Sequence, residues 1–350
     1  MSVRQVFRSP GAADHGPAGD FDDGRAADVR YTFRGGGDFI LDTDPEPRNL
    51  WGSGDHVVLA DGESLLIVGP QGVGKTTIVQ QLALGRAGFS EYRELLGFPI
   101  IPGAGRVLYL AMDRPRQIAR SLRRMVGQAW RDELNSKLPV WPGPPPYDLA
   151  RQTSLLARLC DDAAADTVIV DSLKDAAIGL TDDEVGAGYN RARQTAIAAG
   201  VQVIELHHNR KQFSGAKAEK PTLEDVYGST WITGGVGSVI LLNGQPGDPI
   251  VSMHHLKQPA AEVGPLKVFH DQVSGRSTVW HAVDLMLLAA QSGGITAVDA
   301  ARAIFETDKP TPNEREKARR KLDKLAHEGL IVVIEPGDPA TKTATRWGRR

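Results

Sequence analysis

The chain contains the run Gly69-Pro70-Gln71-Gly72-Val73-Gly74-Lys75-Thr76, which matches the pattern G-x-x-x-x-G-K-[ST] at every fixed position. The apolar run 64–68 precedes it with the character of a short strand, and Ile78 and Leu82 follow it with helical spacing. In a strand, glycine-rich loop and helix of this order, backbone amides and the helix N-terminus attract phosphate groups. The stretch therefore predicts a P-loop within an α/β fold.

Each position of the loop has an expected role toward a nucleoside triphosphate. We expect Lys75 to reach the β- and γ-phosphates and the Thr76 hydroxyl to bind Mg²⁺. The other expected contacts to ATP come from Gly69, Gln71, Gly72, Val73, Gly74 and Thr77. A glycine-rich turn that matches by chance is the alternative, but the flanking strand and helix argue against it.

The composition limits the remaining possibilities. The 350 residues include 41 Lys and Arg against 43 Asp and Glu, a formal net charge of −2, so any affinity for nucleic acid must come from local patches. Cys160 is the single cysteine, which excludes an internal disulfide and fits a reducing cytoplasm. No apolar stretch approaches the ~18 residues of a membrane span, and we expect neither a span nor a secretory signal.

Three segments of the chain differ in character. Residues 1–35 are rich in Gly, Ala, Asp and Arg and are expected to form a disordered tail. Residues 36–272 alternate β-rich runs with helical stretches, which predicts a P-loop ATPase domain with a mostly parallel sheet covered by helices. The proline-rich run 141–146 is expected to be a loop. The expected strands are Ser64–Val68, Arg106–Ala111, Thr167–Val170, Val201–Leu206, Ser238–Leu242 and Ile250–His254.

Residues 278–350 have a different pattern, which predicts a winged helix-turn-helix domain. Three helices are expected, over 281–291 and from capping boxes that open at Thr296 and Thr311. Strands are expected at 330–334 and 343–347, on either side of a turn. Three helices followed by a β-hairpin are the plan of a winged helix.

Two strand ends carry acidic residues suited to nucleotide chemistry. Asp171 follows the apolar run 167–170, a Walker B pattern in which the carboxylate holds Mg²⁺ opposite Thr76. Asp113 follows the strand 106–111 and is placed to polarise an attacking water. Each of them could instead cap the N-terminus of the helix that follows it.

Adjacent histidines, His207 and His208, follow the strand 201–206. Histidine donates hydrogen bonds at neutral pH, so either residue is a candidate to sense the γ-phosphate. Zinc binding is the alternative, but no cysteine or third ligand stands at a suitable spacing.

Four blocks resemble, in order and form, the RecA-like hexameric ATPases, in particular the RepA and DnaB-type replicative helicases, with RadA and KaiC as more distant members. The blocks are 69–77, 107–113, 168–171 and 206–211, and a fifth, 254–259, stands where such proteins carry a basic finger. The resemblance covers about 36–272. It implies a RecA-like core that forms a homo-oligomeric ring, expected to be hexameric, with ATP rather than GTP bound between subunits.

The resemblance also assigns roles. The catalytic residues that it implies are Lys75, Asp113, Asp171, His207 or His208, and Lys257, the last reaching into the neighbouring subunit's site. Two departures bear on this assignment. The catalytic acid in these families is usually Glu, one methylene longer than Asp113, and the usual Lys-x-Arg finger has proline at position 259. The arginines considered as substitutes are Arg114, Arg116, Arg120 and Arg210.

Two basic segments are candidates for DNA contact. The segment 209–221 corresponds in position to loops that grip single-stranded DNA in the resembling proteins. Its expected contacts are Arg210, Lys211, Phe213, Lys217 and Lys220. In the third C-terminal helix, Arg315, Arg319 and Arg320 suit duplex DNA. Acidic neighbours on that helix leave a solvated face as the alternative.

These patterns favour an ATP-hydrolysing DNA motor, a RepA-like replicative helicase or replication-initiation ATPase of a phage, plasmid or mobile element. Two alternatives keep the ATP site. One is a RadA- or KaiC-like regulatory or recombination ATPase, and the other is a nucleotide-controlled DNA-binding regulator or loader. ATP turnover that requires single strands favours the motor, whereas turnover indifferent to DNA favours the regulatory ATPase. Tight duplex binding with negligible turnover favours the loader.

Overall fold

The computed structural model describes residues 33–44, 46–209, 221–280, 284–290, 293–305, 307–338, 341 and 343–349. The chain divides into two compact units, residues 1–46 and 47–350. Within the first unit, the described residues include the short helix α1 (Gly36–Leu41). The predicted N-terminal tail falls mostly on residues 1–32, which lie outside the described residues.

A nine-stranded sheet forms the centre of the second unit. From one edge to the other its strands are β13 (Ser277–Val279), β12 (Leu266–His270), β11 (Ile250–Lys257), β10 (Ser238–Asn243), β3 (Leu65–Val68), β9 (Gln202–His207), β8 (Ala165–Asp171), β6 (Arg106–Ala111) and β7 (Val140–Pro142). The six strands from β10 to β7 run parallel, and β10 to β13 pair antiparallel. The prediction of an α/β, RecA-like P-loop core with a mostly parallel sheet is confirmed.

The central strand β3 shows why apolar runs mark this sheet. Leu65 and Ile67 lie in one hydrophobic cluster, whereas Leu66 and Val68 lie in another. Successive side chains of a strand point to opposite faces, so a strand covered on both sides must be apolar throughout. The helix α2 (Lys75–Arg86) contributes to the first cluster, and α5 (Leu155–Asp162) and α7 (Asp183–Ala198) contribute to the second.

Shorter elements complete the second unit up to residue 280. Its remaining helices are α3 (Pro115–Leu122), α4 (Arg131–Lys137), α6 (Leu173–Ala176) and α8 (Thr230–Gly234). Two antiparallel pairs lie outside the main sheet: β1 (Asn49–Ser53) with β2 (His56–Ala60), and β4 (Glu94–Leu95) with β5 (Phe98–Pro99). In the part of the chain that is described, no helix is long and apolar enough to cross a membrane.

The start of the proline-rich run differs from the prediction. Trp141 and Pro142 belong to β7, at the edge of the main sheet, rather than to a loop. An edge strand has neighbours on one side only, so it tolerates a proline that lacks the N–H a central strand would need.

The C-terminal residues form a small hydrophobic cluster of their own. Its elements are α9 (Leu285–Ala289), β14 (Ile295–Thr296), α10 (Ala297–Phe305), α11 (Pro312–His327), β15 (Val332–Glu335) and β16 (Arg346–Gly348). The three strands form an antiparallel sheet in the order β14-β16-β15. Both predicted capping boxes are present, between Thr296 and Asp299 and between Thr311 and Glu314. The strand β14 was not predicted, and α9 spans only part of the expected helix.

Candidate nucleotide-binding site

The loop between β3 and α2 has a backbone shape that depends on glycine. Gly72 and Gly74 have φ angles of +77° and +87°. A side chain at Gly69 would place its Cβ 2.6 Å from the carbonyl oxygen of Leu242, and one at Gly74 would overlap the ring of His270. Among the described residues, no side chain caps the N-terminus of α2, so its first amides remain available to phosphate oxygens.

Lys75, the first residue of α2, lies over this loop. Its Nζ donates hydrogen bonds to the carbonyl oxygens of Gly69 at 2.8 Å and Pro70 at 2.6 Å. Burial lowers the pKa of Lys75 to about 8, and the nearby Asp171 carboxylate opposes that shift. The ammonium group is therefore held against the backbone of the loop, and its contact with β- and γ-phosphates stays a prediction.

Asp171 ends β8 beside Thr76. Its Oδ2 accepts a hydrogen bond from the Tyr109 hydroxyl at 2.8 Å and a longer one from the Thr76 hydroxyl at 3.4 Å. Burial raises the pKa of Asp171 to about 6, against the effects of these two donors and of Lys75. The N-cap of the following helix is Ser172, so Asp171 is not engaged as a helix cap.

The Thr76 and Asp171 oxygens fit a magnesium ion. Mg²⁺ prefers oxygen ligands and is commonly held by one or two protein groups together with phosphate oxygens and water. A hydroxyl and a carboxylate oxygen 3.4 Å apart at the mouth of the P-loop supply this set. Tyr109, which sequence reasoning missed, fixes the carboxylate from the neighbouring strand.

A cavity of about 500 Å³ brings the predicted catalytic groups together. Its lining includes six P-loop positions, namely Gln71, Gly72, Gly74, Lys75, Thr76 and Thr77, together with Asp113, Asp171 and His208. Gly69 and Val73 belong to the loop but are not part of the cavity wall. These predicted residues, from Gln71 to His208, face one volume because the C-terminal ends of parallel strands meet on one side of the sheet.

Asp113 lies in the cavity wall just after β6. Its carboxylate is half-exposed and forms an ion pair with Arg114, with Nη2 and Oδ2 3.1 Å apart. The N-cap of α3 is Arg114 rather than Asp113, so the alternative of a capping role is not observed. The negative charge of Asp113 contributes to raising the pKa of Asp171, which places the two carboxylates within electrostatic reach of each other.

The two adjacent histidines have different surroundings. His208 lines the cavity, where burial and the charge of Lys75 lower its pKa. His207 is fully buried, its Nε2 donates to the carbonyl oxygen of Tyr227 at 2.7 Å, and burial lowers its pKa to about 4. The geometry therefore favours His208 over His207 as the residue that faces a γ-phosphate.

Lys257 lies away from the P-loop of its own chain. It pairs with Val239 near the start of β10, whereas the P-loop follows the C-terminal end of the parallel neighbour β3. Its Nζ donates hydrogen bonds to the carbonyl oxygens of Thr233 at 3.2 Å and Gly234 at 2.9 Å. The structure thus does not bring Lys257 into the cavity with the other predicted catalytic residues.

The segment 114–124, which contains α3, supplies further cavity residues. Arg114 and Arg120 were among the arginines considered as substitutes for the finger, whereas Gln117, Ser121 and Arg124 were not predicted. Gln117, Arg120 and Arg124 line the cavity, as do Arg114 and Ser121. Arg124 donates to the Gln272 carbonyl oxygen at 3.0 Å, and so connects this side to the segment after β12. Gln117 and Arg120 lie three residues apart in α3 and so share one helical face, which is the signal that would have identified Gln117. Arg124 lies two residues beyond the end of the helix. Arg116 is not part of the cavity wall.

The predicted DNA contacts fall into two groups. Arg210, Lys211, Phe213, Lys217 and Lys220 lie outside the described residues. The other three belong to α11: Arg319 pairs with Glu316 and Asp323, Arg320 pairs with Glu316, and Arg315 donates to the Pro310 carbonyl oxygen. The side chains of Arg319 and Arg320 remain 50% and 75% exposed.

Comparison with known protein families gives one match. A family model described as an AAA domain matches residues 37–214. The matched segment contains the P-loop, Asp113, Asp171 and both histidines, and it ends before Lys257 and the C-terminal cluster. No curated protein matches the chain.

Proposed function

The chain belongs to the AAA domain family, and we propose that it is an ATP-driven DNA motor of the RepA-like replicative helicase type. The family and the sheet make it a P-loop ATPase of the RecA-like type. The observation that carries the finer proposal is the position of His208. It lines the nucleotide cavity, and the basic segment 209–221 follows it directly along the chain. A change at the γ-phosphate can thereby act on a segment rich in cations.

Hydrolysis follows from the groups in the cavity. Lys75 and the first amides of α2 would bind and neutralise the phosphates, and Thr76 and Asp171 would hold the metal. A bound Mg²⁺ supplies further neutralisation of charge on the β- and γ-phosphates. Asp113 accepts a hydrogen bond from the attacking water and orients it toward the γ-phosphate. Its ion pair with Arg114 must loosen for this role, because that pair occupies a carboxylate oxygen.

Assembly into a ring accounts for the position of Lys257. Lys257 lies at the opposite end of the parallel strands from its own P-loop. It can therefore serve as a trans-acting cation only for a second copy of the chain. Arg114, Arg120 and Arg124 surround the cavity in cis and provide the arginine chemistry that position 259 lacks. In this proposal the site is completed between subunits of a homo-oligomer, as a hexameric ring requires.

The C-terminal elements support a role on duplex DNA. These elements follow one another in the order α9, β14, α10, α11, β15 and β16. This order fits a winged helix in which α11 is the recognition helix. The ion pairs of Arg319 and Arg320 are exposed, and pairs of this kind contribute little stability, so DNA phosphates can replace the acidic partners. Duplex binding that weakens with added salt and with Arg320→Ala would support this contact, and binding insensitive to both would contradict it.

One observation favours a regulatory ATPase as the second candidate. The Asp113–Arg114 ion pair engages one oxygen of the proposed catalytic acid, and Asp is a methylene shorter than the Glu usual in the resembling families. Slow hydrolysis of this kind suits a ring that acts as a timed switch rather than a motor. Hydrolysis that DNA does not accelerate would favour this candidate.

Strand separation tests the proposed motor. The full chain is incubated with ATP, Mg²⁺ and a forked DNA duplex that carries one labelled strand. We expect the wild type to release the labelled strand and Lys75→Ala to release none. Steady ATP turnover without strand release would contradict the motor and leave the regulatory ATPase.

A further inference from the structure

A buried histidine outside the family-matched segment packs against the P-loop. His270 ends β12 and is 6% exposed. Its ring lies so close to Gly74 that a Cβ on this glycine would overlap it. His270 also lines the same cavity as Lys75 and Thr76. The family match ends at residue 214 and therefore assigns His270 no role.

The ring of His270 is anchored through the P-loop helix itself. Its Nδ1 lies 2.8 Å from the hydroxyl oxygen of Ser277, the residue opposite it on β13. The backbone N–H of Ser277 donates to Oε1 of Gln81 on α2, and the Ser277 carbonyl accepts from Nε2 of Gln81 at 3.4 Å. The imidazole is thus fixed relative to the helix that the P-loop opens.

The other ring nitrogen is unpartnered. Among the described residues, nothing meets Nε2 of His270 with hydrogen-bond geometry, although the atom is buried. Burial lowers the pKa of His270 and the backbone carbonyl of Val73 opposes that shift, so this carbonyl lies near the ring. Since a carbonyl oxygen only accepts, the fitting tautomer carries its proton on Nε2 and accepts the Ser277 hydroxyl at Nδ1. A buried donor of this kind is costly until it finds an acceptor.

The peptide between Val73 and Gly74 connects this donor to the nucleotide. A trans peptide unit is planar, and its C=O and N–H point in opposite directions. A donor that holds the Val73 carbonyl therefore directs the Gly74 amide to the other side, where P-loop amides surround phosphate.

We propose that His270, whose ring packs on Gly74, is a positioning residue of the nucleotide site: when phosphate binds, its Nε2–H takes the nearby Val73 carbonyl as acceptor and thereby directs the Gly74 amide at the phosphates. The inference rests on the proposed ATP binding. It adds to the site a residue from the antiparallel edge of the sheet, beyond the segment that the family match covers.

Nucleotide affinity of the full chain tests this role. The dissociation constant of ADP with Mg²⁺ is measured for the wild type, His270→Phe and His270→Gln. Phenylalanine keeps the ring packed on Gly74 but removes the donor, and we expect affinity to fall about tenfold, as for one lost hydrogen bond. Glutamine restores an N–H donor, so His270→Gln should recover most of the affinity. Ser277→Ala removes the hydroxyl that fixes the tautomer of His270. Its ADP affinity should lie between those of His270→Phe and His270→Gln.

A second buried histidine provides the matched control. His255 on β11 is 3% exposed, and its Nε2 lies 2.8 Å from the Ser238 hydroxyl oxygen, a contact to serine like the one that Nδ1 of His270 makes. His255→Phe should lower the melting temperature while leaving the ADP dissociation constant unchanged. Equal losses of affinity in His255→Phe and His270→Phe, or no loss in His270→Phe, would overturn the inference. Failure of the wild type to bind ADP or ATP would instead refute the proposed function.

Discussion

The Tyr109 hydroxyl donates a 2.8 Å hydrogen bond to Oδ2 of Asp171, from one parallel strand to the next. Tyr109 is fully buried, and Thr76 reaches the same oxygen from α2. A tyrosine in the sheet therefore orients the carboxylate proposed to hold magnesium. An outer partner of this kind fixes the orientation of a metal ligand without touching the metal.

Tyr109→Phe tests this orientation. The phenyl ring fills the same space, but Asp171 loses its shorter hydrogen bond, so we expect the Mg²⁺ concentration for half-maximal ATP turnover to rise several-fold. Tyr189→Phe is the matched control, because its hydroxyl donates at 2.7 Å to another buried carboxylate, Glu205, outside the cavity. Both changes should cost about 1 kcal/mol of stability, but only the first should alter the Mg²⁺ titration. Identical Mg²⁺ titrations for the wild type and Tyr109→Phe would contradict the role.

Asp113 is expected to govern the chemical step. Asp113→Asn keeps the size of the side chain but removes the basic oxygen, so kcat for ATP should fall about 10²- to 10³-fold while KM changes little. Asp113→Glu should retain substantial activity, because its carboxylate reaches further into the same cavity. An unchanged kcat in Asp113→Asn would show that another group orients the attacking water.

Mixed rings test the trans role of Lys257. Lys75→Ala and Lys257→Ala should each be nearly inactive alone. When the two variants are mixed and allowed to assemble, some sites combine an intact Lys75 with a neighbour's Lys257. Random assortment should restore activity to about one quarter of the wild-type rate. If Lys257 acts within its own chain, or does not act at all, mixing will produce no such recovery.

Two buried histidines should make the free energy of unfolding decrease as the pH falls. Burial lowers the pKa of His207 and of His255 to about 4, below the ~6.5 of an unfolded histidine. Between these values the unfolded chain binds more protons, so the stability these residues provide is complete above pH 6.5 and is lost as pH falls toward 4. Protonation of His255 would also oppose the N–H that Val263 donates to its Nδ1.

His255→Gln isolates one of these groups. Its unfolding free energy should fall less steeply than that of the wild type between pH 6.5 and 4.5, by up to about 1.4 kcal/mol per pH unit. Denaturant unfolding at several pH values measures this difference. Asp171, whose pKa is raised, also contributes to the pH dependence, but equally in both proteins, so its contribution cancels in the comparison. Parallel pH profiles would show that His255 is not held neutral by the fold.

The buried parallel strands were predictable because burial on both faces leaves a local pattern. The run Arg106–Ala111 was predicted with its observed bounds, and the strands ending at Val68 and His207 were placed within one residue at each end. The strands β12 and β13 were missed, since they are short and mix polar with apolar residues. The edge strand β7 was missed because its Trp141-Pro142 pair is typical of a loop.

The site was predictable where one motif carries the chemistry. Lys75, Thr76 and Asp171 follow from their motifs, and the cavity contains all three. The choice between His207 and His208 required the structure, because only the packing shows which ring faces the cavity. His270 could not be predicted, since it reaches Gly74 through a contact between residues 196 positions apart in sequence.

ATP turnover by the purified full chain tests the central claim most directly. It is measured without DNA, with single-stranded DNA and with duplex DNA, and Lys75→Ala serves as the control. A DNA motor predicts a several-fold increase with single strands that is absent in Lys75→Ala. Turnover that is the same with and without single strands would contradict the motor.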